Sequence, residues 1–113
     1  MSIAETDLTK HNSIEAYFQA KQSELSPNVL NLKRRVLTYF FVKTFPSLRP
    51  KDTTTEHVRE FLDHLDDSGL KYSSKRRYLE ALSSFFSYSL RDQDLDGING
   101  NPPGIVLEEY PRF

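Results

Sequence analysis

The chain has 113 residues, 37% hydrophobic and 27% charged, enough for one domain with a modest core. It contains no cysteine, which excludes a disulfide framework and a zinc ribbon and suits a reducing compartment. No secretory segment and no apolar run near the ~18 residues that span a bilayer is present, so an intracellular chain without a membrane partner is expected.

A formal net charge of −1 argues by itself against a polyanionic partner, yet the charge is sorted along the chain. From Asn28 to Phe45 the charged residues are Lys33, Arg34, Arg35 and Lys43, all basic. From Lys71 to Arg91 they are Lys71, Lys75, Arg76, Arg77 and Arg91 against Glu80. Between these segments lie Glu56, Glu60, Asp63, Asp66 and Asp67 against Arg59. Sorted charge can build a one-sided field that a net sum conceals.

Residues 1–12 read as a flexible leader. Asn12 and Glu15 form a capping pair for a first helix over 13–22, with Ile14, Tyr17 and Phe18 on one face. In "LSPNVLNLKRRVLTYFF", Ser26 is the expected N-cap and Pro27 the first helical residue of a second helix that Pro46 ends. Its apolar face carries Leu30, Leu37, Phe40, Phe41 and Thr44. After the linker "PSLRPKDTTT", Thr53 and Glu56 read as a capping box for a third helix. Val58, Phe61, Leu62 and Leu65 are its buried stripe, and Gly69 is its left-handed terminator. Ser73 or Ser74 is the expected cap of a fourth helix reaching Arg91. Tyr78, Leu79, Leu82, Phe85, Phe86 and Leu90 form its apolar face. The tail, with its glycines and prolines, shows no helical period and reads as extended. The expected fold is all-α, a four-helix bundle over residues 13–91 with an extended C-terminal segment over 92–113.

On the fourth helix, Arg77, Glu80, Ser84, Ser87, Tyr88 and Arg91 lie opposite the apolar stripe, with Arg76 at its flank. Arg34, Arg35, Asn31 and Thr38 likewise avoid the apolar face of the second helix. Arginine mixed with hydroxyl and amide groups suits a phosphodiester backbone, and the start of the fourth helix adds free N–H groups. The competing interpretation is a pair of ordinary solvated basic faces.

"SIEAYFQAKQSELSPNVLNLKRRVLTYF", "TTTEHVREFLDHLDDSGLKYSSKRRYLEALSSFFSYSLRDQDL" and "NPPGIVLEE" follow in order the pattern of one family. From Ser13 to Glu108 the chain resembles the core-binding, SAM-like N-terminal domain of tyrosine recombinases, the phage integrases and their relatives. Its most specific stretch is Ser73-Ser74 through Leu79, Leu82, Phe85-Phe86, Tyr88 and Leu90, then Asn101-Pro102. The resemblance implies a DNA-binding domain that clamps duplex DNA at a recombination site, its second and fourth helices toward the major groove. It carries over as DNA-binding positions Ser26, Asn28, Arg34 and Arg35, and Lys71, Ser73, Ser74, Lys75, Arg76 and Arg77, with Tyr88 and Arg91 added. It implies double-stranded DNA, a catalytic domain and other recombinase protomers as partners, in a cytoplasmic, nucleoid-associated setting. The tail then becomes a linker toward a catalytic domain that this sequence lacks, and no catalysis or cofactor is expected. Lys33 departs from the family pattern, in which an aromatic often stands on the core side. The alternative is a helical protein–protein interaction module that never meets nucleic acid.

Other signals are weaker. "DQDLDG", Asp92 to Gly97, has the opening spacing of a calcium loop, but Pro103 stands where the bidentate glutamate is needed. His57 and His64 are two turns apart, too far for one metal. Tyr110 has no arginine–histidine constellation to make it a nucleophile. No metal site is expected.

Overall fold

Each helix end leaves backbone groups without intrahelical partners, and the sequence supplies side chains and special turns to satisfy them. A computed structural model describes residues 12–91, 98 and 100–109. These residues form α1 (Asn12–Lys21), α2 (Pro27–Thr38), α3 (Thr55–Asp67), α4 (Tyr72–Arg91) and α5 (Pro102–Glu109), with no strand among them. The all-α, SAM-like architecture expected from the sequence is what forms.

α2 starts as expected. Ser26 holds an extended conformation, its Oγ accepts from the Val29 N–H at 3.3 Å, and Pro27 opens the helix. The regular helix ends earlier than Pro46, however, and passes into a wide π-helical turn, Tyr39–Thr44, where the Phe45 N–H donates to the Phe40 carbonyl at 3.0 Å. The wide turn buries both Phe40 and Phe41 completely, with ring centroids 4.8 Å apart in an edge-on pair.

The cap of α3 lies one residue later than expected. Thr54 and His57 form the box: Thr54 Oγ1 accepts from the His57 N–H at 3.4 Å, and His57 Nδ1 accepts from the Thr54 N–H at 3.0 Å. Thr53 is instead buried in the preceding 3-10 turn, Pro50–Asp52, and its hydroxyl donates to the Arg49 carbonyl at 3.4 Å. Thr54, extended like Thr53, is then the residue directly before the helix. At the other end, Leu70 N–H donates to the Leu65 carbonyl and Gly69 N–H to the Asp66 carbonyl, the paired bonds of a Schellman stop. Gly69 sits at φ 82°, where a side chain is strained. Gly69→Ala is expected to cost about 1–2 kcal/mol in chemical denaturation, although no described residue lies within 4 Å of the added methyl.

With the chain reversed so tightly, α4 begins before the expected caps. Lys75 N–H already donates to the Lys71 carbonyl at 3.0 Å, which places Ser73 and Ser74 inside the first turn. The buried side of α4 includes Leu79, Leu82, Phe85 and Phe86 as expected, but Leu90 is 41% exposed. Ser89 takes its place in the interior, its hydroxyl donating to the Phe85 carbonyl at 3.0 Å. A buried hydroxyl so satisfied costs little. Tyr17 of α1 joins this core fully buried, with its Oη 3.0 Å from Ser84 Oγ and its ring 5.6 Å from that of Phe85.

The extended C-terminal segment is the clear correction. Residues Pro102–Glu109 are helical and pack against α4 and α3, burying Pro103 and Val106. Asn101 explains why a stretch with Gly and Pro can do this. Its Oδ1 accepts from the Gly104 N–H at 3.0 Å, capping α5, while its Nδ2 donates to the Ser83 carbonyl and hydroxyl at 3.3 and 3.2 Å. Pro102 then fits the first helical position. A Cβ at Gly104 would stand 2.7 Å from Asn101 Nδ2, so the glycine makes room for the cap. Arg59 of α3 closes the far end by an ion pair to Glu109 at 2.8 Å. Asn101→Ala is expected to cost about 1–2 kcal/mol, with faster hydrogen exchange concentrated in α5.

Candidate nucleic-acid interface

α2 and α4 pack against each other and leave an open groove of about 350 Å³ between them. Each helix lines it with residues at positions i, i+3 and i+4: Val29, Leu32 and Lys33 from α2, and Arg77, Glu80 and Ala81 from α4. The floor is apolar, and one cation from each helix sits at its edge. Lys33 and Arg77, one cation from each helix, thus share this groove with Glu80.

The expected site residues separate into two groups. Arg35, Lys71, Arg77 and Arg91 are exposed, and no ion pair with a described residue engages them. Asn28 and Ser73 are exposed as well, at the first turns of α2 and α4. The second group is held by the protein itself. Arg34 is half-buried with its guanidinium 4.8 Å from the Phe18 ring centroid, a cation–π contact that fixes it against α1. Lys75 is ion-paired to Asp66 at the end of α3, with its side chain only 15% exposed. Arg76 is also largely covered; its Nε lies 3.9 Å from Glu80, and its buried Nη1 meets no hydrogen-bond partner among the described residues. Ser26 Oγ is occupied as the α2 cap, and Ser74 is half-buried. Tyr88 packs edge-on to Tyr17 at 5.4 Å, and Lys21 Nζ lies 5.6 Å from its ring centroid.

A second groove, about 380 Å³, runs between the ends of α1 and α4 and is lined by Ala20, Lys21, Glu24, Tyr88 and Arg91. Lys21 pairs there with Glu24 at 3.2 Å. Lys21 and Lys33, which line these grooves, were not among the expected DNA-binding residues. Their spacing signals existed, but only the pairing of helices shows that Lys33 shares a groove with Arg77. Ser84, expected on the outer strip, instead turns to Tyr17.

The acid-rich face of α3 keeps Glu56, Glu60, Asp63, Asp66 and Asp67 exposed. Among the described residues no cluster of His, Cys, Asp or Glu could hold a metal ion. His57 serves in the α3 cap, and His64 is exposed. The calcium-like stretch Asp92 to Gly97 and Tyr110 lie outside the described residues. No helix among those residues is long and apolar enough to cross a membrane.

Helices in this order, with α4 as the central rod, define an all-α SAM-like domain. The family model described as phage integrase, N-terminal SAM-like domain, matches residues 14–93, and the chain belongs to that family. No curated protein and no solved structure matches it. It is thus a recombinase-family domain, and the match falls on the N-terminal SAM-like part rather than on a catalytic domain.

Proposed function

We propose that this domain grips duplex DNA at the recombination site of a tyrosine recombinase, chiefly through phosphate contacts from the exposed faces of α2 and α4. The observation that supports the reading is the shared groove, lined by Lys33 and Arg77 from different helices, together with the exposed cations Arg35, Lys71 and Arg91, which make no ion pair with a described residue. Duplex DNA holds a condensed layer of cations, and exposed guanidinium and ammonium groups that neutralise its phosphates release those ions, which drives association. Ser73 and Asn28 add neutral donors beside them. Arg34, Lys75 and Arg76 support the surface from within, because each is already engaged by Phe18, Asp66 or Glu80.

In this reading strand cleavage belongs to a catalytic domain, and the segment after Arg91 leads toward it with α5 docked on the way. The partners are then double-stranded DNA, that catalytic domain and neighbouring recombinase protomers, in the cytoplasm at the nucleoid. One half of a clamp binds weakly by itself.

Fluorescence anisotropy with a labelled duplex tests the proposal. Four phosphate contacts should weaken binding roughly a hundredfold between about 50 and about 200 mM salt. Absence of binding at the lower concentration would favour a helical module that meets another protein through the apolar floor at Val29 and Leu32 instead.

A further inference from the structure

A carboxylate in the middle of a phosphate-facing seam needs a reason. Glu80 lines the α2–α4 groove together with Lys33 and Arg77, and its side chain is 53% exposed. It is the only acid on α4. Arg76 approaches it at 3.9 Å, too long for a forked pair, so Arg76 restrains the carboxylate without consuming its acceptor capacity. A phosphate at this position would be repelled, and the apolar floor beneath offers it no donor.

Resting on the DNA reading above, we propose that Glu80 is a specificity-determining residue that selects a cytosine at one position of the bound site. A carboxylate can only accept hydrogen bonds. In the major groove the donors are the exocyclic amino groups of cytosine and adenine. Adenine places its N7 acceptor beside that amino group, facing a carboxylate with a second negative centre. Cytosine has a C–H edge there instead, which matches the apolar surface of Ala81 and Leu32. Lys33 and Arg77 then take the phosphates on either side, while Glu80 turns a sequence-blind grip into a selective one.

Asp66 supplies the contrast. It too lowers the positive field of α4, by pairing with Lys75, but it sits at the α3 end and outside the groove. Its effect is on affinity alone.

The experiment selects from a duplex library with randomised positions, using the unmodified chain, Glu80→Ala, Glu80→Gln and Asp66→Asn, with sequencing of the bound fraction. The unmodified chain is expected to enrich cytosine at one position roughly tenfold. Glu80→Ala should bind mixed-sequence duplex more tightly and lose that enrichment. Glu80→Gln should shift the preference toward adenine, which an amide can meet through both N6 and N7. Asp66→Asn should tighten binding and leave the selected sequence unchanged. Identical selected sequences for the unmodified chain and both Glu80 variants would overturn the assignment while leaving DNA binding intact. Failure of the unmodified chain to retain any duplex at low salt would overturn the DNA reading and this inference with it.

Discussion

Phe85→Ala is expected to remove about 3–5 kcal/mol of stability. Phe85 is completely buried at the point where four aromatic rings converge. Its centroid lies 5.6 Å from Tyr17, 6.2 Å from Phe41 and 5.1 Å from Phe86. Truncation opens a cavity bordered by α1, the wide turn after α2, and α4, so no single helix can move in to fill it. Domains of this size have about 5–15 kcal/mol in total. The variant should therefore unfold at much lower denaturant concentration with little change in slope, measured by circular dichroism in urea. Phe85→Leu should recover more than half of the loss, because it restores most of the volume.

Removing two exposed cations, in Arg35→Ala/Arg77→Ala, is expected to leave that urea transition in place and to weaken duplex binding roughly fiftyfold at about 100 mM salt. The two guanidiniums lie on different helices, are exposed, and make no ion pair with a described residue. Their loss should not expose a partner charge. The slope of log affinity against log salt should fall by about two units. Lysine at both positions should restore the slope more fully than the affinity, since it keeps the charge and loses the fork. An unchanged slope in the alanine pair would remove these residues from the phosphate contacts. Arg34→Ala makes a useful comparison: its guanidinium rests on Phe18, so its loss should appear in stability as well as in binding.

Most of the fold was legible because helical periodicity and capping chemistry are local. Ser26-Pro27 and Gly69 marked boundaries that the structure retains, and the buried phenylalanines follow the apolar stripes. The differences arose where a local signal competed with tertiary packing. Thr53 could have capped α3, but burial in the Pro50–Asp52 turn took its hydroxyl elsewhere. The helix at Pro102–Glu109 escaped notice because its short apolar run has no amphipathic period. It depends on Asn101 reaching across to Ser83, a contact that sequence separation hides.

For the interface, the two basic faces were readable, but their accessibility was not. Charge counting treats Lys75 and Arg77 alike. The fold hands Lys75 to Asp66 and leaves Arg77 at the groove. Nor could spacing show that Lys33 and Arg77 line one groove, since that depends on which sides of two helices meet. The sequence places a cation; only packing decides what it can touch.

The wide turn at Tyr39–Thr44 has a consequence for how this surface can vary. On a regular helix successive side chains diverge by roughly 100°, an angle that the buried pair Phe85 and Phe86 on α4 spans within one apolar face. At Phe40 and Phe41 the added residue instead changes the angle between the anchoring rings and the outward-facing segment before them, breaking the gearing of a regular helix. The upstream residues of α2 can thus be recut for a different target without re-indexing the aromatic keystone. Deleting one residue from the turn should do the reverse, coupling the two again and wrenching the polar side out of alignment.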